Sequence, residues 1–309
     1  MTPRRAIAAA LFVGATVCPL AADQVFRSGV DTVYLAVTVT DVRNRPLTGL
    51  DRASFQVFED GVAQEIAVFA ADPQPIELSL LIDASTSMDE KIRLAQEAAV
   101  GFARTLRKGD VAQIIDFNND IRIRQTFTGD TAALERAIRA IRTGGSTSLY
   151  TALYIAVSEL NRMRAATPEE IRRQAIVVLS DGEDTTSLKT YEDVAELVKR
   201  SSLAIYAIGL RDKAAYGSGT RRFNQGDFAL RSLSQTTGGR VFFVDDARQL
   251  SAVYLQVADE LANQYFIGYN TKNLKRDGAW RQVAVRVSRP ETVVRTRAGY
   301  FGPAPTRTP

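Results

Sequence analysis

The 309-residue chain contains no histidine. That absence removes Ser-His-Asp and Cys-His catalysis, histidine-ligated metals and an imidazole pH switch in one step. Cysteine is almost absent as well, Cys18 being the only one. Charge of one sign is lacking too: 39 Lys and Arg stand against 35 Asp and Glu, a net charge of +4 with no strong acidic or basic block. A solvated surface accounts for that balance better than a nucleic-acid face does. There is no P-loop, no paired D-x-D nucleophile, no internal repeat and no coiled-coil heptad. Beyond the N-terminus, no apolar run reaches membrane-spanning length.

What is present begins with an address. Arg4 and Arg5 precede an apolar run over residues 6–17, followed by Ala21 and Ala22. This reads as a signal peptide over residues 1–22 and predicts a secreted or periplasmic protein without a transmembrane segment after cleavage. Cys18 lies inside that segment, and its flanks, Val17 and Pro19, fit a lipoprotein signal poorly. A chain cleaved after Ala22 has no cysteine, so it tolerates an oxidising compartment without disulfides.

The rest falls into three blocks. Residues 23–74 read as strands: Val33, Leu35, Val37 and Val39 alternate with Tyr34, Ala36, Thr38 and Thr40, a period of two. Runs at 55–59 and 62–69 flank Asp60-Gly61, a strong hairpin signal because both residues tolerate positive φ. From 75 to 264, apolar strands alternate with amphipathic helices, which implies a mainly parallel sheet covered on both faces. The segment 121–127 reads as its antiparallel edge. Residues 265–302 return to strands, predicted at 265–269, 281–288 and 293–298, and 303–309 reads as a disordered tail. The flanking strands are too few on either side to bury a face alone. They are expected to pair into one small β-sandwich-like domain carrying the α/β domain as an insertion.

One stretch organises the α/β block. Residues 78–87, L-S-L-L-I-D-A-S-T-S, run an apolar strand into Asp83, then Ser85 and Ser87 at alternate positions. In an open α/β sheet, ligands bind beyond the carboxyl ends of strands where the strand order reverses. Two other loops should meet this one there: G-G-S-T-S-L-Y at 144–150, with Thr147, and L-S-D-G-E-D at 179–184, with Asp181. Carboxylates and hydroxyls without a soft ligand suit Mg²⁺, Mn²⁺ or Ca²⁺ rather than zinc or copper.

With D-A-S-T-S at 83–87, G-G-S-T-S-L-Y at 144–150 and V-L-S-D-G-E-D at 178–184, the sequence resembles the von Willebrand factor type A (VWA) domain family over roughly residues 76–263. The three motifs look like that family's metal ion-dependent adhesion site (MIDAS). Outside them, V-T-D-V-R-N-R-P-L-T-G-L at 39–50, F-x-V-F-E-D-G at 55–61 and G-Y-F-G at 299–302 resemble a secreted bacterial subgroup abundant in acidobacteria. The resemblance implies a doubly wound, mainly parallel six-stranded sheet with helices on both faces. It implies that Ser85 and Ser87 ligate the metal directly and Thr147 directly or through water. Asp83 and Asp181 would act mostly through water or by hydrogen-bonding the serines. Neutral hydroxyls leave the ion's charge largely uncompensated, so it attracts an outside carboxylate. In that family the last helix shifts when ligand completes the metal shell. Here the helix read at 247–261 runs directly into the strand at 265–269, so occupancy of the metal face would be felt by the β-strands.

The departures matter as well. Thr151 stands where many members carry a carboxylate, which predicts a packing or capping consequence rather than loss of metal. Asp89 and Glu90 suggest a second adjacent metal site, but Lys91 falls where that pattern wants another acid, and acids in a first helical turn complement the helix dipole. Glu183 and Asp184 read as turn and rim residues. The long 211–227 segment should rim the metal face, and its Arg211, Lys213, Arg221 and Arg222 would favour an acidic partner. The expected function is therefore non-enzymatic: cation-dependent adhesion or assembly through a protein ligand presenting an Asp or Glu carboxylate. A metal-assisted hydrolase and a structural envelope protein with an inert metal site are the alternatives. Oligomeric state is open.

Overall fold

The computed structural model describes residues 32–72, 74–166, 172–181, 184–211 and 225–305. The expected signal peptide, the Pro73 boundary, Gly182 and Glu183, most of the 211–227 loop and the end of the tail lie outside the described residues. The chain opens with β1 (Thr32–Asp41), β2 (Phe55–Glu59), β3 (Val62–Gln64) and β4 (Ile66–Ala70). Alternation follows: β5 (Ile76–Asp83), α1 (Ile92–Ala103), β6 (Val111–Phe117), β7 (Ile121–Thr128), α2 (Thr131–Arg139), α3 (Leu149–Ala166), β8 (Arg173–Ser180) and α4 (Tyr191–Lys199). It continues through β9 (Leu203–Leu210), α5 (Gln225–Thr237), β10 (Arg240–Val244) and α6 (Leu250–Ala262). The C-terminal strands are β11 (Tyr265–Asn270), β12 (Trp280–Val287), β13 (Thr292–Arg295) and β14 (Gly299–Phe301).

The central sheet has six strands in the order β10-β9-β8-β5-β6-β7. All neighbours are parallel except β7, which pairs antiparallel with β6 at the edge. Strands β5 and β8 are buried along their whole length, as continuous apolar runs in a sheet covered on both faces must be. Their side chains alternate between two cores. Leu80, Ile82 and Val177 pack under α1, α2 and α6, while Leu81, Ile176 and Val178 pack under α3, α4 and α5. Helix starts follow local chemistry. Asp130 accepts from Ala132 N and Ala133 N at the head of α2, and Thr190 with Asp193 forms a capping box on α4, each satisfying otherwise orphaned amides. Among the described residues, no helix is long and apolar enough to cross a membrane.

The flanking strands interleave in two further sheets of four, β13-β1-β11-β4 and β14-β12-β2-β3. Both contribute to a third apolar cluster, with Leu35, Val37 and Ile267 from one and Phe55, Val57 and Val283 from the other. The Asp60-Gly61 turn is as expected, with φ of 47° and 80°. The strand expected at 62–69 instead breaks at Glu65: β3 pairs with β2, and β4 pairs with β11 in the other sheet. Alternation of burial runs straight through the break, with Gln64 and Ile66 buried around exposed Glu65, so periodicity carries no sign of the change of partner. The strand expected at 293–298 ends at Arg295, and a separate strand starts at Gly299. Ala298 donates its N–H to Thr236 O and accepts from Val283 N, so the chain crosses from one sheet to the other between β13 and β14.

Two buried carboxylates tie these layers together. Glu59 on β2 accepts from Tyr269 Oη and Tyr300 Oη, each at 2.8 Å, and from Thr271 Oγ1 at 2.7 Å. Glu260 on α6 pairs with Arg240 at 2.9 Å and with Arg295 of β13 at 2.6 Å. Breaking a buried pair leaves uncompensated charge behind. Glu260→Ala strands two guanidiniums at once and is expected to cost about 3–5 kcal/mol, read as a lowered urea midpoint with an unchanged m-value.

Candidate functional site

Strand order reverses at β5, which has β8 on one side and β6 on the other. Asp83 closes β5 and is fully buried. Its Oδ1 accepts from Ser85 N at 2.9 Å and its Oδ2 from Ser180 Oγ at 2.6 Å. A tight turn over Thr86–Met88 follows, held down by the buried Met88 side chain. It lifts Ser85 and Ser87 onto the same side. Ser87 Oγ donates to Asp181 Oδ1 at 2.7 Å and lies 3.0 Å from Ser85 Oγ, so Ser85 is the donor in that second bond.

The second loop is laced to the first through backbone. Gly144 N donates to Ala84 O at 2.8 Å, and Thr86 N donates to Gly145 O at 3.0 Å. Gly145 has φ of 80°, and a Cβ there would fall 1.9 Å from Asn119 Oδ1, so this position needs glycine both for its φ and for the close approach. Asn119 Oδ1 accepts from Ser146 N at 2.8 Å, and Asn118 Nδ2 donates to Gly144 O at 2.7 Å. The third loop docks on the second: Thr185 N and Thr186 N both donate to Thr147 O. Asp184 Oδ1 accepts from Tyr150 N at 3.1 Å, and Ser187 Oγ accepts from Thr151 N at 2.9 Å. These two bonds cap the head of α3.

Four of the five expected residues therefore form one hydrogen-bonded chain, from Ser180-bound Asp83 through Ser85 and Ser87 to Asp181. Thr147 is held beside them by its backbone and is buried. No hydrogen bond joins its hydroxyl to the other four among the described residues. Asp184, expected as a turn and rim residue, caps the head of α3. Thr151 does act through the backbone, its Oγ1 accepting from Leu188 N and Lys189 N. Asp89 and Glu90 are exposed ahead of α1.

Comparison with known proteins gives the family of the fold. The sequence pattern described as von Willebrand factor type A domain matches residues 77–256. The chain belongs to the von Willebrand factor type A domain family. A search of curated protein sequences gave no match. Among solved structures, the chain is similar to a von Willebrand factor type A protein from Catenulispora acidiphila, with 12% identity and a TM-score of 0.50 over 90% of this chain and 76% of that one. It is also similar to proximal thread matrix protein 1 from the mussel byssus, solved with a zinc-occupied MIDAS motif, at 18% identity and a TM-score of 0.49 over 64% and 48% of the two chains. The PilB minor pilin of Streptococcus sanguinis, as a D319A mutant, gives 12% identity and 0.47 over 62% of each.

In this VWA domain, no group of three or more Asp, Glu, Cys or His side chains gathers to hold a metal among the described residues. The candidate set is of another kind, two carboxylates and three hydroxyls. It is suited to a hard cation: the oxygen-bearing side chains of Ser85, Ser87 and Asp181 touch in series, and a cationic group is already drawn to Asp181. That group is Lys91, whose Nζ lies 2.5 Å from Asp181 Oδ2, while the Asp181 side chain is 1% exposed. Sequence reasoning weighed Lys91 only against a second metal site and overlooked its role here. Its place eight residues beyond Asp83, one turn after Ser87, was the available signal. Ser180 and Asn119 were missed as well, because their partners are distant in sequence.

Burial pushes the Asp83 carboxyl upward, the hydroxyls of Ser180 and Ser85 and the Ser85 amide partly offset this, and the nearby Asp181 charge adds to the rise. Its folded pKa thus lies above the unfolded value. The charge costs nothing below the unfolded carboxylate range, and its full penalty is reached above the folded pKa. Asp83→Asn keeps an acceptor for Ser85 N and removes the charge. We expect the metal-free variant to melt about 2–4 °C higher at neutral pH, with the difference vanishing in acid, as measured by calorimetry across pH.

Proposed function

We propose that this chain is an extracytoplasmic, divalent-cation-dependent binding module that captures a protein partner through an Asp or Glu carboxylate at a MIDAS. The observation that carries the reading is the Ser85–Ser87–Asp181 chain at the switch point of the sheet, with a cationic group held against it. Ser85, Ser87 and Thr147 would offer hydroxyl oxygens to Mg²⁺, or to Mn²⁺ or Ca²⁺. Asp83 and Asp181 would orient those hydroxyls and supply the negative charge. The bound ion supplies one open position for a partner's carboxylate. Few direct carboxylates leave the ion's positive charge for that partner to satisfy.

Family membership supports an adhesion or assembly role over catalysis, and the flanking motifs support a secreted bacterial subgroup. Residues 75–264 form the VWA domain in this reading, and 23–74 with 265–302 form the β-domain that carries it. Secretion rests on the N-terminal sequence at 1–22.

Titration calorimetry with MgCl₂ or MnCl₂ is expected to give one site per wild-type chain and none in Asp83→Ala. Capture of a partner from envelope extract should fail both with chelator and in that variant. Equal metal binding by the two proteins would end the proposal. Capture that survives both treatments would move the binding to the β-strands. Lys91 must leave Asp181 for a cation to bind there, so Lys91→Met is expected to tighten Mn²⁺ binding on the order of tenfold in the same titration.

A further inference from the structure

At the end of the sheet remote from Asp83, the first residues of β8 and β9 and the ends of α3 and α4 face β1, β11 and β14 across a cavity of about 690 Å³. Arg164, Arg172, Arg173, Arg200 and Arg297 line it, and no Asp or Glu does among the described residues. Acids reach four of the five, the Glu77 charge acting on Arg164 and the Asp110 charge on Arg173. Arg200 pairs with Glu196 at 3.1 Å, and Arg172 lies 4.0 Å from Glu77. Arg173 is spent on the fold, donating to Gln74 O, Leu261 O and Gln264 Oε1.

Arg164 and Arg297 are different. Arg297 is fixed by Nε to Gly299 O and Nη1 to Ser202 Oγ, each at 2.7 Å. Its Nη2 has no protein acceptor among the described residues. Arg164, in the last turn of α3, makes no hydrogen bond or ion pair among them. Burial pushes Arg297 down to about 10, and the charge of Arg164 contributes to that fall. The C-terminal ends of α3 and α4 each offer roughly half a negative charge, and together with Glu77, Asp110 and Glu196 they still fall short of five guanidiniums. Arginines that crowd a cavity with unused donors call for an acceptor-rich counter-charge, and a guanidinium matches phosphate and carboxylate oxygens best. The stacked rings of Tyr34 and Phe266, 5.3 Å apart, add a flat wall.

We infer that this cavity is an anion site, separate from the candidate metal site, that binds a multivalent oxyanion between Arg164 and Arg297. Phosphate and carboxylate groups share the recognising chemistry, so two probes separate the sources.

Calorimetric titration with pyrophosphate, and separately with citrate, in EDTA-containing buffer is the test. Saturable one-to-one binding is expected for at least one of them, weakened on the order of tenfold in Arg164→Gln and again in the Arg164→Gln, Arg297→Gln pair. Pyrophosphate alone assigns a phosphate ligand, and citrate alone a carboxylate. Arg164 is exposed, so its single variant should melt as wild type, keeping the result clear of folding. Saturable binding of neither probe, or binding that the double variant leaves intact, overturns the inference. Asp83→Ala should bind the anion as wild type does, and loss in that variant would equally overturn it.

Discussion

The Asp83 carboxylate stands at the carboxyl end of the central strand with no exposed surface. A charge in that place is costly unless something nearby answers it. Here a serine hydroxyl from β8 and the amide of Ser85 answer it in part. The bond from Ser180 pins β8's end to β5's end, and the bond from Ser85 bends the chain into the turn that presents two hydroxyls. One unfavourable burial thus fixes the geometry of the surface above it. Binding sites commonly give up stability in this way.

Around that charge, precision comes mostly from backbone. Ala84, Thr86, Gly144, Gly145, Thr147 and Thr185 exchange main-chain hydrogen bonds across loops, and the head of α3 is capped from the third loop. Side chains on such a frame lose little entropy when they bind, because their positions are largely set in advance. Lys91 belongs to the same electrostatic account. The paired acid is nearly inaccessible, and a tethered ammonium is the cation nearest to hand.

The opposite end of the molecule is governed by arginine. Glu260 is answered twice, by Arg240 and Arg295, and Glu59 by three hydroxyls with Arg281 at 3.7 Å. The cavity near Arg164 and Arg297 has five arginines in its lining and no carboxylate among the described residues there.

The alternation of strands and helices, the antiparallel edge at β7, the Asp60-Gly61 turn and the three loops that converge were legible in sequence, because each rests on local periodicity or on residue types that suit one backbone geometry. The break at Glu65 was not, since a strand that changes sheets there keeps its period of two, and the end of β13 at Arg295 was hidden as well. Ser180 on Asp83, Asn119 under Gly145 and Lys91 on Asp181 were equally hidden. Sequence alone determined which elements form and which oxygen-bearing side chains stand at strand ends, because those depend on near neighbours. Tertiary structure alone decided which sheet each flanking strand joined and which charges met, because pairing energies depend on distance and burial rather than on separation along the chain.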